Sequence, residues 1–571
     1  MKHLVLFLAL FASAANGNDP QCRGITGDDG SHVIGTADVV LIGSGPAGAG
    51  FLHRLVRIRP DLSVIWIEKG QDFKARNWPE QITDVDAEEI LTNIPRKKLT
   101  HIAGKAWNNF GGGDAANSGG ANYLVSDEPY DPMDVFELRN HSIIPPTETS
   151  ERWVKAFEST GFKEGPPAPI KKDDKDIVSQ PSSLRTEDGR NRLLLADDLR
   201  YSTEHRKVAY AHARAASVIR EGNTGRAIGV RGVRINHAQD EYGGCVAWKA
   251  NLAVVLAGGV FNTFDLLVET GIGPEKYLKV REVPEDWWTP NEDVGKGVGD
   301  EHSVVFVGAE PETADPYGAQ PRLIAEDIHG SAYEFWTKGL KTWLVVRTHK
   351  KYMIWTYILP KIGFPIVKFA EWVLKGSSMW AIGVFSEPII ELEAIAKPRN
   401  NTKTVFSRQY YRNNKLGIII DDSKITATDE MCEAITRSMK PMKDGGRLQN
   451  KVKAGLGTRT RRKLFWLATK TGIVNILKPN LATFWNADKF TGKGKNKGKK
   501  CTTDMFASYY HYYGGNAKVV DDSYQVKGTP GLLISDASVL ERLVAGPTSA
   551  TSMQTGMRVA DSFVASLGDD S

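Results

Sequence analysis

Between Ala37 and Gly70 the chain reads ADVVLIGSGPAGAGFLHRLVRIRPDLSVIWIEKG, and this stretch limits what the remainder can be. Val39 to Ile42 is a short apolar run of strand type, and Gly43, Gly45 and Gly48 supply the spacing GxGxxG. Phe51, Leu52, Leu55 and Val56 then recur at helical spacing until Pro60 stops the helix, and a buried-type strand, Val64 to Ile67, ends at Glu68. Each part has a physical task. Gly43 permits a tight turn, Gly45 lets a pyrophosphate approach the backbone, and Gly48 lets the helix pack closely. The unpaired N–H groups at the helix start favour an anion. Glu68 stands where a carboxylate accepts hydrogen bonds from ribose hydroxyls. With 55 glycines in 571 residues the bare glycine spacing would occur by chance about half a time, so the flanking strand, helix and acid carry the inference. Together they specify a dinucleotide site.

A second glycine-rich segment, FGGGDAANSGGANYL from Phe110 to Leu124, follows downstream. Backbone this dense in glycine comes within hydrogen-bonding distance of a flat ring or phosphate, with Asn117 a candidate side-chain donor. A two-ended cofactor such as FAD needs two such segments, so FAD is expected rather than NAD.

The segment GGGDAAN, Gly111 to Asn117, resembles the GGSSxxN motif of the glucose-methanol-choline (GMC) oxidoreductases, and further blocks match in the same order. LAVVLAGGVFNTFDLLVETGIGPEKYL, Leu252 to Leu278, is similar to the family's second signature. VGKGVGDEH, Val294 to His302, is similar to GVGxNLxDH, and Tyr510 to Leu540 to the run of HxxG, VVD and GLRVxDxS. The resemblance implies an α/β fold: an FAD-binding Rossmann-like domain of GMC type with an α+β substrate-binding domain built on an antiparallel sheet. It assigns 37–144, 205–305 and 501–568 to the FAD-binding domain and 306–500 to the substrate-binding domain. The stretches of about 145 to 204 and 306 to 500 carry no family motif.

The implied reaction is oxidation of a CH–OH group in an alcohol or sugar. Abstracting a hydride from a carbinol carbon becomes feasible as its hydroxyl loses a proton, and histidine is suited to take that proton near neutral pH. His511, in HYYG, stands where the family has its catalytic histidine. Aligning Pro547 with the family's NP proline puts Gly546 at the second catalytic position, which normally holds His or Asn. A missing donor there removes up to a few kcal/mol of alkoxide stabilisation, and Asn516, Thr548 and Ser549 are the side chains positioned to replace it. The resemblance implies cofactor contacts from Gly111, Gly112, Asn117, Asp536, Pro547 and Thr548, beside Gly43, Gly45, Gly48 and Glu68. Ala116 stands where some members carry a histidine bonded to the flavin, so noncovalent FAD is expected. His302 is read as structural. Gly546 leaves open lyase or light-driven chemistry on the same fold, or a redox-inactive binding protein. The acceptor that reoxidises the flavin, O2, a quinone or a redox protein, is left open.

Residues 1–17 read as a signal peptide, with Lys2 in a basic start, an apolar run from Leu4 to Ala12 and small residues at Ala15 and Gly17. A secreted chain is therefore expected, with Cys22, Cys245, Cys432 and Cys501 in an oxidising compartment, where four thiols allow three complete pairings. Two sequons, at Asn140 and Asn400, fit that route. No metal site is expected. A net charge of +5 is too small to imply nucleic acid. Basic runs at Arg459 to Lys463 and Lys493 to Lys500 suit contact with a polyanion or an anionic membrane surface. The aromatic segment Trp343 to Phe385, broken by lysines, reads as part of the substrate domain.

Overall fold

The computed structural model describes, with side chains, residues 22–23, 32–70, 207–222, 224–235, 244–299, 512–541 and 548–568, apart from the side chain of Ala550, together with a few positions between 154 and 199. It describes the backbone alone of 241–243 and of short strands between 91 and 508. The signal segment, both sequons, the basic runs, Gly111, Gly112, Asn117, His511, Gly546, Pro547, Cys432 and Cys501 lie outside the described residues.

Strand β1 (Val33–Ile42), helix α1 (Pro46–Ile58) and strand β2 (Val64–Glu68) form the expected entry. β1 begins six residues ahead of the apolar run because Val33 to Thr36 pair, through a bulge, with Ala247 to Lys249. In α1, Pro46 occupies the first turn, where its missing N–H costs nothing, and Phe51, Leu52 and Leu55 are fully buried.

Two long strands organise the domain: β3 (Val208–Arg220) and β5 (Glu241–Leu256), with β4 (Ala227–Ile235) between them. The first part of β3 pairs in parallel with β2, from Val64 opposite Val208 to Glu68 opposite His212. Its second part pairs antiparallel with β4, from Ala213 opposite Arg234 to Arg220 opposite Ala227. β5 starts antiparallel to β4 and ends parallel to β1, with Ile42 opposite Leu256. Strand β8 (Leu532–Ile534) closes the parallel set against β5. A parallel sheet in the order β3-β2-β1-β5-β8 thus runs into an antiparallel meander through strands shared by both.

Alternation along the strands sorts the core into two layers. Val39, Leu41, Val64, Trp66, Val255 and Leu533 face α1 and the last helix, α3 (Thr548–Ser566). Val40, Ile42, Ile65, Ile67, Val254 and Ile534 face α2 (Gly259–Thr270).

Strands at His302–Ala309, Ser377–Val384, Ala332–Gly339 and Arg322–Glu326 pair antiparallel in that order within an eight-stranded sheet. His302 is the first residue of its strand. In a four-stranded sheet, β6 (Lys296–Gly299) pairs antiparallel with β7 (Tyr513–Gly515).

Cys22 is bonded to Cys245 of β5. Arg23, next in the chain, pairs with Glu269 of α2 at 2.8 Å, and the same carboxylate pairs with Arg281 at 2.8 Å. The segment at Cys22 is therefore fastened to both the meander and α2.

Candidate nucleotide-binding site

The helices α1, α2 and α3 start near one edge of the sheet, where β1, β5 and β8 end. α1 and α3 cross where Gly50 meets the Met553 carbonyl and Gly556 meets the Ala47 carbonyl. The Arg54–Asp561 ion pair, 2.7 Å, lies C-terminal to that crossing on both helices, so the two run in the same sense.

The starts of α1 and α2 differ in what occupies them. At α2, the Asp536 carboxylate accepts from the Gly259 N–H at 2.9 Å, from the Thr263 hydroxyl at 2.5 Å and, through its other oxygen, from the Ser538 N–H at 2.9 Å. Burial pushes this carboxyl above its ordinary value, against hydrogen bonds from Ser538, Thr263 and Gly259 that pull it down. Asp536, which the resemblance implies as a cofactor contact, thus also fills the anion position of α2.

At α1 no side chain among the described residues caps the helix, and its N-cap is Gly45. A Cβ on Gly45 would meet no atom of the described residues within 4 Å, so among them the space above this glycine is open. Gly43 has φ +105°, and a Cβ there would lie 2.2 Å from the Ala257 carbonyl. A Cβ on Gly48 would lie 2.2 Å from the Gly43 carbonyl, so its closeness is to the turn itself. The turn is braced from below by Trp66, fully buried, whose indole N–H donates to the Gly43 carbonyl at 2.9 Å.

Glu68 closes this cradle at the end of β2. Its Oε2 accepts from the N–H and the hydroxyl of Ser44, each at 2.8 Å, and its Oε1 from the Gly70 N–H. Three donors fix the carboxylate beside the turn, and its oxygens keep lone pairs for further donors. Lys69 points to the opposite face, where its ammonium donates to Asn262 at 2.8 Å. The cation next to Glu68 is thus turned away from the cradle.

The segment following His511 is held over the start of α2. Tyr512 meets Phe261 edge-on at 4.6 Å, and the Asn516 N–H donates to the Ser538 carbonyl at 2.8 Å. The Asn516 side chain has no exposure, and neither atom of its amide finds a partner among the described residues. The hydroxyl of Ser535, equally buried at the end of β8, is in the same position. Each such group costs about 1–3 kcal/mol until paired. Of the three substitutes for the missing donor at Gly546, Thr548 is half-buried and Ser549 buried in the first turn of α3, and Asn516 alone carries an unpaired amide among the described residues.

An uncapped helix start, an open glycine, an acid anchored beside them and unpaired polar groups near the strand ends fit a phosphate-linked ligand rich in hydroxyls and carbonyls. Ser44, Trp66, Thr263 and His212 belong to this edge without having been singled out in the sequence. Only Ser44 carried a signal, its place within the glycine motif. No group of three metal-ligating side chains occurs among the described residues.

No family model matches the sequence, and no curated protein matches it. Solved structures do. A formate oxidase variant from Aspergillus oryzae RIB40 superposes with a TM-score of 0.61 at 15% identity, covering 94% of this chain and 100% of that one. Pyridoxine 4-oxidase from Mesorbium loti gives 0.58 at 13% identity, over 92% and 98%. An FAD-dependent oxidoreductase from Chaetomium thermophilum gives 0.55 at 13%, over 93% and 99%. The chain shares the fold of these proteins along nearly its whole length.

Proposed function

We propose that the protein is an FAD-dependent oxidoreductase of GMC type that oxidises the CH–OH group of an alcohol or sugar. The observation that carries the reading is the uncapped start of α1 at the open Gly45, with the Glu68 carboxylate anchored beside it. Likeness in fold to two proteins named oxidases and one named an FAD-dependent oxidoreductase supports it. When bound, FAD supplies a two-electron acceptor.

The chain's own residues divide the remaining work. The N–H groups of the first turn of α1 receive the pyrophosphate, and Glu68 receives ribose hydroxyls. His511 takes the substrate hydroxyl proton, a contribution of about 10² to 10⁴ in rate. Asn516 supplies the donor that Gly546 lacks. The signal segment and the Cys22–Cys245 bond support secretion into an oxidising compartment. Oxygen, a quinone or a redox protein then reoxidises the flavin.

The test is direct. Purified protein should be yellow, and anaerobic mixing with an active alcohol or sugar should bleach it, with His511→Ala slowing the bleaching at least a hundredfold. If a broad panel never reduces the bound flavin, the missing donor at Gly546 favours lyase or light-driven chemistry instead. Colourless protein that takes up no FAD would overturn the flavin reading itself.

A further inference from the structure

We propose that His212 is a positioning residue for the adenosine end of the cofactor, acting with Glu68; this rests on the flavin reading above. In the parallel pairing of β2 with β3, Trp66 stands opposite Tyr210 and Glu68 opposite His212. The rings of Trp66 and Tyr210 meet edge-on at 6.1 Å, so both side chains lie on the face that α1 covers. Two residues further along each strand the side chains return to that face. Glu68 and His212 therefore stand side by side where the parallel pairing of the two strands ends.

Gly70 joins them. Its N–H donates to Oε1 of Glu68, and its carbonyl lies 3.1 Å from Nε2 of His212. A carbonyl oxygen only accepts, so the imidazole donates from Nε2. Gly70 is held on both sides, its N–H by Glu68 and its carbonyl by His212, so His212 steadies the residue that supplies one of the three bonds aiming the Glu68 carboxylate. The glycine turn, Glu68, Gly70 and the imidazole then lie along one edge, which offers N–H groups for a diphosphate and an acid for sugar hydroxyls. Those two features suit the adenosine diphosphate half that FAD contains and FMN does not.

The experiment titrates FAD-free protein with FAD and, separately, with ADP, following tryptophan fluorescence, for the wild type, His212→Gln, His212→Leu and His212→Ala. Gln keeps an N–H donor for the Gly70 carbonyl, whereas Leu and Ala do not. The expected result is a loss of about tenfold in affinity for both ligands in His212→Leu and His212→Ala, with His212→Gln within about threefold of wild type. Thermal midpoints of the ligand-free variants report folding, and two differently sized replacements keep the comparison usable if one folds poorly. Wild-type ADP affinity in the Leu and Ala variants would overturn the assignment, as would a Gln variant as weak as Leu. Wild-type protein that binds neither ligand would overturn the flavin reading together with it.

Discussion

Gly556 presses against Ala47 so closely that a Cβ added to it would lie 2.1 Å from the Ala47 carbonyl oxygen and 2.7 Å from the Phe51 nitrogen. Both neighbours are backbone, so neither can swing aside. Gly50 makes the reciprocal contact, with a Cβ 2.4 Å from the Met553 carbonyl. These two glycines, rather than the partly exposed Arg54–Asp561 pair, set the distance between α1 and α3. Gly556→Ala should cost about 2–4 kcal/mol in urea unfolding, whereas Arg54→Ala should cost no more than about 1 kcal/mol. Equal losses would show that the helices can separate without penalty.

Glu68→Gln should weaken FAD binding by about ten- to a hundredfold, because an amide carries one acceptor oxygen where three donors converge and turns an NH2 group toward one of them. Ser44→Ala removes one of those donors and should cost about two- to tenfold by the same argument. Fluorescence titration measures both, and an unchanged Glu68→Gln would detach this acid from the cofactor.

Of the three complete pairings open to four cysteines, one contains Cys22–Cys245, and its second bond joins Cys432 to Cys501. Peptide mapping without reduction should recover both bonds. Cys22→Ser should lower stability by about 2–4 kcal/mol. Glu269→Gln, which weakens the hold on both Arg23 and Arg281 at a buried site, should cost about 3–5 kcal/mol. Recovery of a peptide joining Cys22 to another cysteine would refute the pairing.

Asp536 should give stability an unusual dependence on pH. Between the ordinary carboxyl pKa of 3.8 and the raised value in the fold, the folded chain keeps a proton that the unfolded chain gives up. The residue's titration therefore stabilises fully below pH 3.8, and that contribution is lost as pH climbs through the raised value. The stability difference between wild type and Asp536→Asn, measured by guanidinium unfolding from pH 4 to 7, should accordingly narrow as pH rises. A difference that widened would mean that the surrounding donors outweigh burial.

The entry unit was legible because its signals are local: apolar runs, glycine spacing, a helix ended by proline and an acid at the right distance all fall within Ala37 to Gly70. What was not legible depends on register between distant strands. Nothing near His212 in the chain announces that it stands opposite Glu68, since that follows from how β3 lies against β2. Cys245 meets Cys22 because the meander carries it there. That Asp536 caps α2 could not be read from the sequence, because Gly259 and Thr263 belong to a helix far away in the chain. Asn516 was legible as a candidate donor, but its unpaired amide could be seen only once the packing around it was known.

The pairing of β8 with β5 has a consequence for how the protein is made. Leu532 lies against Val254, and the strand that completes the parallel sheet is made long after the strand it pairs with. Until it arrives, Val254, Val255 and Leu256 present an open, apolar sheet edge to their surroundings. A nascent chain stalled before Leu532 would therefore be sticky rather than merely unfinished, because this sheet closes only when two segments distant in sequence meet.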